Sequence, residues 1–172
     1  MINTARIAAS LTLLLSCNAW SQLSSSQIPE FTATVLTGAS VSSSQLMGQP
    51  TVLIVTPSKD AAKDTRLWAQ ALRSNLDPDK VFIRDVLAID LPFFISEEDA
   101  LERAKDKIPA RYQDQTWLLN ASTLETALGI AHDSANAFVF VLDAQGQIVA
   151  RMEGEPTTAK INELEHALAQ SR

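Results

Sequence analysis

The sequence predicts an α/β fold, a sandwich with a central mixed sheet flanked by helices and carrying one helical insertion. Three features lead there. Thr51 to Thr56 is unbrokenly apolar from Val52 to Val55, as a strand buried on both faces of a sheet must be. It hands over through Pro57-Ser58 to a stretch in which Ala61, Thr65, Trp68, Leu72 and Leu76 recur at helical spacing. A second apolar run, Phe138 to Leu142, meets the turn Asp143-Ala144-Gln145-Gly146 and then Gln147 to Met152, a hairpin signal ahead of a closing helix. Strand-helix units followed by a hairpin and a terminal helix stack as helical layers on a sheet.

The chain has 172 residues, 46% of them hydrophobic, which suits one domain with a real core behind a processed leader. Residues 1–21 have the form of an export signal: Arg6, an apolar stretch from Ile7 to Leu15, then small residues at Ala19 and Ser21. That stretch is shorter than the roughly 20 apolar residues a membrane-spanning helix needs. Cleavage after Ser21 would release a soluble chain beginning at Gln22. The rival is a lipobox-like Leu14-Leu15-Ser16-Cys17, in which Cys17 would carry a lipid anchor. Cys17 is the single cysteine, so the domain beyond the leader has neither a thiol nor a disulfide.

Residues 22–27 are Ser-rich and read as a flexible lead-in to a domain over 28–172. Ile28-Pro29-Glu30-Phe31 opens it, and Phe31, Ala33 and Val35 alternate with Thr32, Thr34 and Leu36 as a short strand would. Gly38 and Ser42 to Ser44 mark a turn. After the strand Thr51 to Thr56, a helix from Asp60 to Leu76 is expected, with Asp60 as N-cap. Val81 to Leu87 is the next strand. Its adjacent Arg84 and Asp85 point to opposite faces and read as solvated charges at an edge or strand end. Ile89 to Ile95 is an apolar loop. The insertion is a helix from Ser96 to Ile108, with Ser96 as N-cap, acidic residues in the first turn and Leu101, Ala104 and Ile108 along one face. Thr116 to Asn120 is a brief strand, Ser122 to Ile130 a short helix ending at Gly129, and Thr158 to Gln170 the closing helix, with Ile161, Leu164 and Leu168 inward.

Charge narrows the function. The formal net charge is -6, and loss of the leader would remove one basic residue and no acidic one. Such a chain repels nucleic-acid phosphates and anionic lipid surfaces. No Lys/Arg block, zinc-ligand spacing or Gly-rich phosphate loop is present. Lys59, Asp60, Lys63 and Asp64 form a mixed charge cluster suited to solubility or polar recognition. His132-Asp133 stands before the Phe138 run and could join Asp60 or Asp64 around a metal, against the plainer reading of a solvated loop histidine. His166 falls on a solvated helix face.

With these motifs in view, the chain resembles the thioredoxin-like superfamily in its peroxiredoxin and TlpA-type branch. The likeness rests on Ile28-Pro29-Glu30-Phe31, on Leu46-Met47-Gly48-Gln49-Pro50 leading into TVLIV, and on FVFVLDAQGQIVARMEG with its C-terminal helix. Within that branch it is most similar to YtfJ-type periplasmic proteins, which lack the redox cysteines. The resemblance implies that Pro57-x-x-x-Ala61-x-x-Asp64 overlays the peroxiredoxin pattern, with Ala61 in place of the hydroxyl residue and Asp64 in place of the reactive cysteine. Read against Cys-x-x-Cys, the same two positions lose both thiols. Ala137 stands where thioredoxins carry a cis-proline and peroxiredoxins an arginine. The expected cleft is therefore Pro57, Asp60, Ala61, Asp64, His132 and Ala137, with no catalytic residue and no cofactor. The expected role is that of an exported, non-redox binding protein for an envelope protein or peptide. A metal-binding protein or non-thiol enzyme using Asp60, Asp64 and His132 is the alternative.

Overall fold

The structure, a computed structural model, describes residues 26–89 and 96–171. The expected leader with Cys17, most of the lead-in and nearly all of the apolar loop before the insertion lie outside those residues. One seven-stranded sheet is formed by β1 (Thr32–Val35), β2 (Ser40–Ser42), β3 (Thr51–Thr56), β4 (Phe82–Ile89), β5 (Thr116–Asn120), β6 (Phe138–Leu142) and β7 (Ile148–Glu153), in the order β2-β1-β5-β4-β3-β6-β7. The centre, β3, β4 and β5, is parallel, while β1, β2, β6 and β7 join antiparallel. Parallel neighbours need crossovers. The helix α1 (Ala62–Asn75) supplies the one between β3 and β4, and the insertion α2 (Glu97–Lys105) lies between β4 and β5.

The unbroken apolar run of β3 follows from its place at the centre. Leu53 and Val55 join a core on one face with Phe31, Val86, Trp117, Phe138 and Phe140, and with Leu124 and Leu128 of α3 (Ala121–Leu128). Val52 and Ile54 join the other, with Trp68 and Leu72 of α1 and with Leu164 and Leu168 of α4 (Thr158–Gln170). The result is a sheet between helical layers, as the sequence predicts. The expected inward stripe of α1 is largely as read: Ala61, Thr65, Trp68 and Leu72 are buried and Leu76 is partly so.

Four differences have local causes. First, Asp60 does not cap α1. It sits exposed in a turn, and the N-cap position falls to Ala61, whose N–H donates to Ser58 Oγ at 3.4 Å. Secondly, β2 forms where only a turn was expected, because Gly38, at φ 98°, folds the chain back and brings Val41 opposite Ala33. Thirdly, α2 ends at Lys105, short of Ile108, and buries no residue completely, its Leu101 and Ala104 being half-buried. Its Ser96 cap is as predicted, accepting from Asp99 N at 3.1 Å, and Thr34 of β1 donates to Glu97 Oε1 at 2.6 Å. Finally, Ser26 and Gln27 are held against the hairpin: Ile148 N donates to Ser26 O at 2.9 Å and Gln27 bridges Gln147, so the lead-in is pinned at its end.

Candidate functional site

The β3–α1 junction is built by a strand that ends at buried Thr56, followed by buried Pro57, and a helix that begins at Ala62. Ser58 organises the turn. Its hydroxyl donates to Ser134 O at 2.7 Å while accepting from Ala61 N, which holds the loop before β6 beside the start of α1. Thr65 donates to Ala61 O at 3.2 Å and shares a 2.8 Å hydrogen bond with Thr56 Oγ1, fixing the first turn of the helix to the strand. Deeper in, Trp68 Nε1 donates to Gly154 O at 2.7 Å, and Gly154 N donates to Ala137 O at 2.8 Å. Gly154, at φ 77°, therefore links α1 to the residue that enters β6, in a backbone conformation that side chains disfavour.

Ala61 and Asp64 both lie at the start of α1 and are buried. A carboxylate is at home there, because the first helical N–H groups lack partners within the helix. Ala137 is wholly buried, and no cis peptide bond occurs among the described residues. Pro57 is buried and Asp60 exposed. His132 turns elsewhere: its side chain is 50% exposed, and the carboxylate beside its Nδ1 is that of Glu125 of α3, 4.0 Å away, instead of Asp60 or Asp64. Among the described residues no group of three or more His, Cys, Asp or Glu is gathered to hold a metal ion. The Asp60, Asp64 and His132 set thus gains no geometric support.

What the junction does present is a polar rim. Lys59 and Asp60 on one loop and Ala135 and Asn136 on the other are exposed, and the Ser58–Ser134 hydrogen bond holds the two loops together. Lys63 pairs with Glu155 of the loop between β7 and α4; the contact raises the lysine pKa and lowers the glutamate pKa, chiefly through the hydrogen bond and charge each offers the other. Asn136 Nδ2 donates to Glu153 Oε1 at 2.8 Å. The sequence reading missed Ser58, Ser134 and Gly154. Ser58 was the findable one, since a hydroxyl just ahead of a helix start is a standing cap candidate.

A charged pair lies under the sheet. Asp85, 8% exposed, is ion-paired at 2.5 Å with Arg73 of α1, and the Arg73 guanidinium stacks 4.2 Å above the centre of the Tyr112 ring. Burial pushes the Asp85 carboxyl up from its ordinary pKa, opposed by the charge and hydrogen bond of Arg73. The edge or strand-end reading is corrected for Asp85: β5 pairs with β4 from Asp85 onward, so Asp85 sits between two strands, whereas Arg84, one step earlier, has a strand neighbour only in β3. The expectation that the two neighbours face apart holds, since Asp85 is served by α1 and Arg84 is not.

The class these features define is a thioredoxin-like α/β fold, and solved structures bear this out at the level of fold. A protein from Chlorobium tepidum assigned to thiol:disulfide interchange, DsbE, is 15% identical with a TM-score of 0.60, covering 86% of this chain and 96% of that one. BsSco, of the Sco family of cytochrome c oxidase assembly proteins, is 14% identical with a TM-score of 0.58, covering 86% and 94%. The exposed lipoprotein thioredoxin of Streptococcus pneumoniae is 14% identical with a TM-score of 0.55, covering 80% and 99%. No protein-family model matches the chain, and no curated protein matches it by sequence. No helix among the described residues is long and apolar enough to cross a membrane.

Proposed function

We propose that this chain is an exported, non-redox thioredoxin-fold protein of the YtfJ type, which binds a protein or peptide partner of the cell envelope. The observation that carries the reading is the chemistry at the β3–α1 junction: Ala61 and Asp64 start the helix, Ala137 enters β6, and the single cysteine, Cys17, precedes the domain in sequence. Thiol-disulfide exchange requires a thiolate, and neither methyl nor carboxylate substitutes for one. The interchange chemistry named for the Chlorobium protein therefore does not transfer, while the scaffold does. Export is supported by the form of residues 1–21 and by the likeness to an exposed lipoprotein thioredoxin.

Two assays test the reading together. The purified chain is expected to show no insulin-disulfide reduction and no thiol-dependent peroxide consumption, and turnover above a heat-killed control contradicts the non-redox part. A photo-crosslinking residue at Lys59 or Ala135 is expected to give discrete adducts in envelope extracts, whereas one at Glu163 on the exposed face of α4 gives none. Absence of adducts at both rim positions contradicts the binding part. For the leader, the intact mass of the exported chain is expected to place its N-terminus at Gln22, and a diacylglyceryl group on Cys17 would show the anchored form instead.

A further inference from the structure

We propose that a cleft at the end of the sheet remote from the β3–α1 junction binds the carboxylate of an apolar acid, with Arg84 as its cationic partner and the Phe82 and Tyr112 rings beside the apolar body. The site stands apart from the junction and does not depend on the function proposed there. Phe82 pairs with Thr51 at the start of β3 and Leu87 with Thr56 at its end, so about five residue steps, roughly 17 Å of strand, separate the two ends.

The cleft has a volume of about 410 Å³, within the span of small-molecule sites. It opens because β5 begins opposite Asp85, leaving Phe82, Ile83 and Arg84 with a strand neighbour only in β3. The 3-10 segment Ala110–Gln115 contributes Tyr112 and Asp114 to its wall, and the end of α1 contributes Arg73 and Leu76.

Arg84 supplies the cation of the site. Its Nη1 donates to Ile83 O at 3.1 Å and its guanidinium lies 4.8 Å from the centre of the Phe82 ring. Among the described residues no carboxylate comes within ion-pair distance of it. Burial lowers its pKa, with Asp114 and then Asp85 only partly offsetting the effect. A partly desolvated guanidinium without a paired anion is a costly arrangement that an entering carboxylate relieves. Arg73 does not compete, since Asp85 neutralises it, yet its Nε–H is buried without a hydrogen-bond partner. Asp114 sets the ligand charge: with one carboxylate already near Arg84 and Asp85 taken up by Arg73, a monoanion is favoured over a phosphate dianion. The aromatic rings and Leu76 then favour an apolar group attached to the carboxylate. A free aromatic acid and the C-terminus of a peptide ending in an apolar residue share this chemistry.

The test is a titration of the ¹⁵N-labelled protein with 3-phenylpropionate, with its neutral amide, and with an acetylated tripeptide ending in Phe as free acid or C-terminal amide. Saturable shifts of the Ile83, Arg84, Tyr112 and Gln115 amides by at least one acid are expected, with a Kd of about a millimolar or tighter. The amides are expected not to bind. Response to the small acid alone assigns a free organic acid, and response to the peptide acid assigns a chain terminus. Arg84→Gln is expected to weaken binding about tenfold or more, with Arg84→Lys intermediate. No saturable shift by either acid, equal binding of acid and amide, or shifts centred on Ser58 and Ser134 would overturn the proposal, and this map on the unaltered protein decides the matter even where Arg84→Gln fails to fold.

Discussion

A carboxylate in an interior strand must find a cation on its own face of the sheet, and Asp85 finds Arg73 across the gap to α1. Because burial dominates, the folded pKa of Asp85 lies above the ordinary value of an aspartate. Between the unfolded and the raised folded pKa, the folded chain retains a proton that the unfolded chain has released. The stability this contributes is complete below the unfolded value and is lost as pH rises through the folded one. Removing Arg73 takes away the charge that holds the carboxyl down. Arg73→Met is therefore expected to destabilise the fold by about 3 kcal/mol at pH 7, in line with breaking a buried pair, and by less at pH 4. Asp85→Asn is expected to flatten the pH dependence and to rescue Arg73→Met. Urea unfolding of the four variants across pH checks this, and a loss from Arg73→Met that is the same at both pH values contradicts it.

At the scale of elements, what could be read from the chain was what local chemistry decides. The buried strand β3, the β6–β7 hairpin, α4 and the Gly129 end of α3, at φ 60°, follow from apolar runs, turn residues and caps. The losses lie where a distant segment decides. Ser40–Ser42 carries one apolar residue and becomes a strand only by pairing with β1. Asp85 looks like an edge charge until β5, arriving after the α2 insertion, pairs with β4 from that residue onward. The start of α1 was misplaced because Asp60 offered a plausible cap, whereas the Ser58 hydroxyl, fixed by a loop 76 residues on, reaches the N–H of Ala61. Of the expected cleft, Pro57, Ala61, Asp64 and Ala137 are buried around the junction, while His132 is drawn off to Glu125. The remote cleft had no sequence signature, since Arg73, Arg84 and Tyr112 meet only through tertiary packing.

Across the whole molecule, a sheet with an apolar core on each face holds two polar ends about a strand length apart. At one, hydrogen bonds from Ser58, Thr65 and Trp68 tie the start of α1 to β3, to the loop before β6 and to the exit of β7. The proposed function requires this end to be a thioredoxin-type junction in which Ala61 and Asp64 occupy the positions of the two thiols. Residues three apart in the first turn of a helix have Cα atoms about 5 to 6 Å apart, inside the span of a disulfide. The most direct measurement is the intact mass and free-thiol count of Ala61→Cys/Asp64→Cys, made in a chain lacking Cys17 and exposed to mild oxidant. Formation of one intramolecular disulfide in the folded monomer is the predicted result, and a folded double variant that keeps both thiols reduced would contradict the claim.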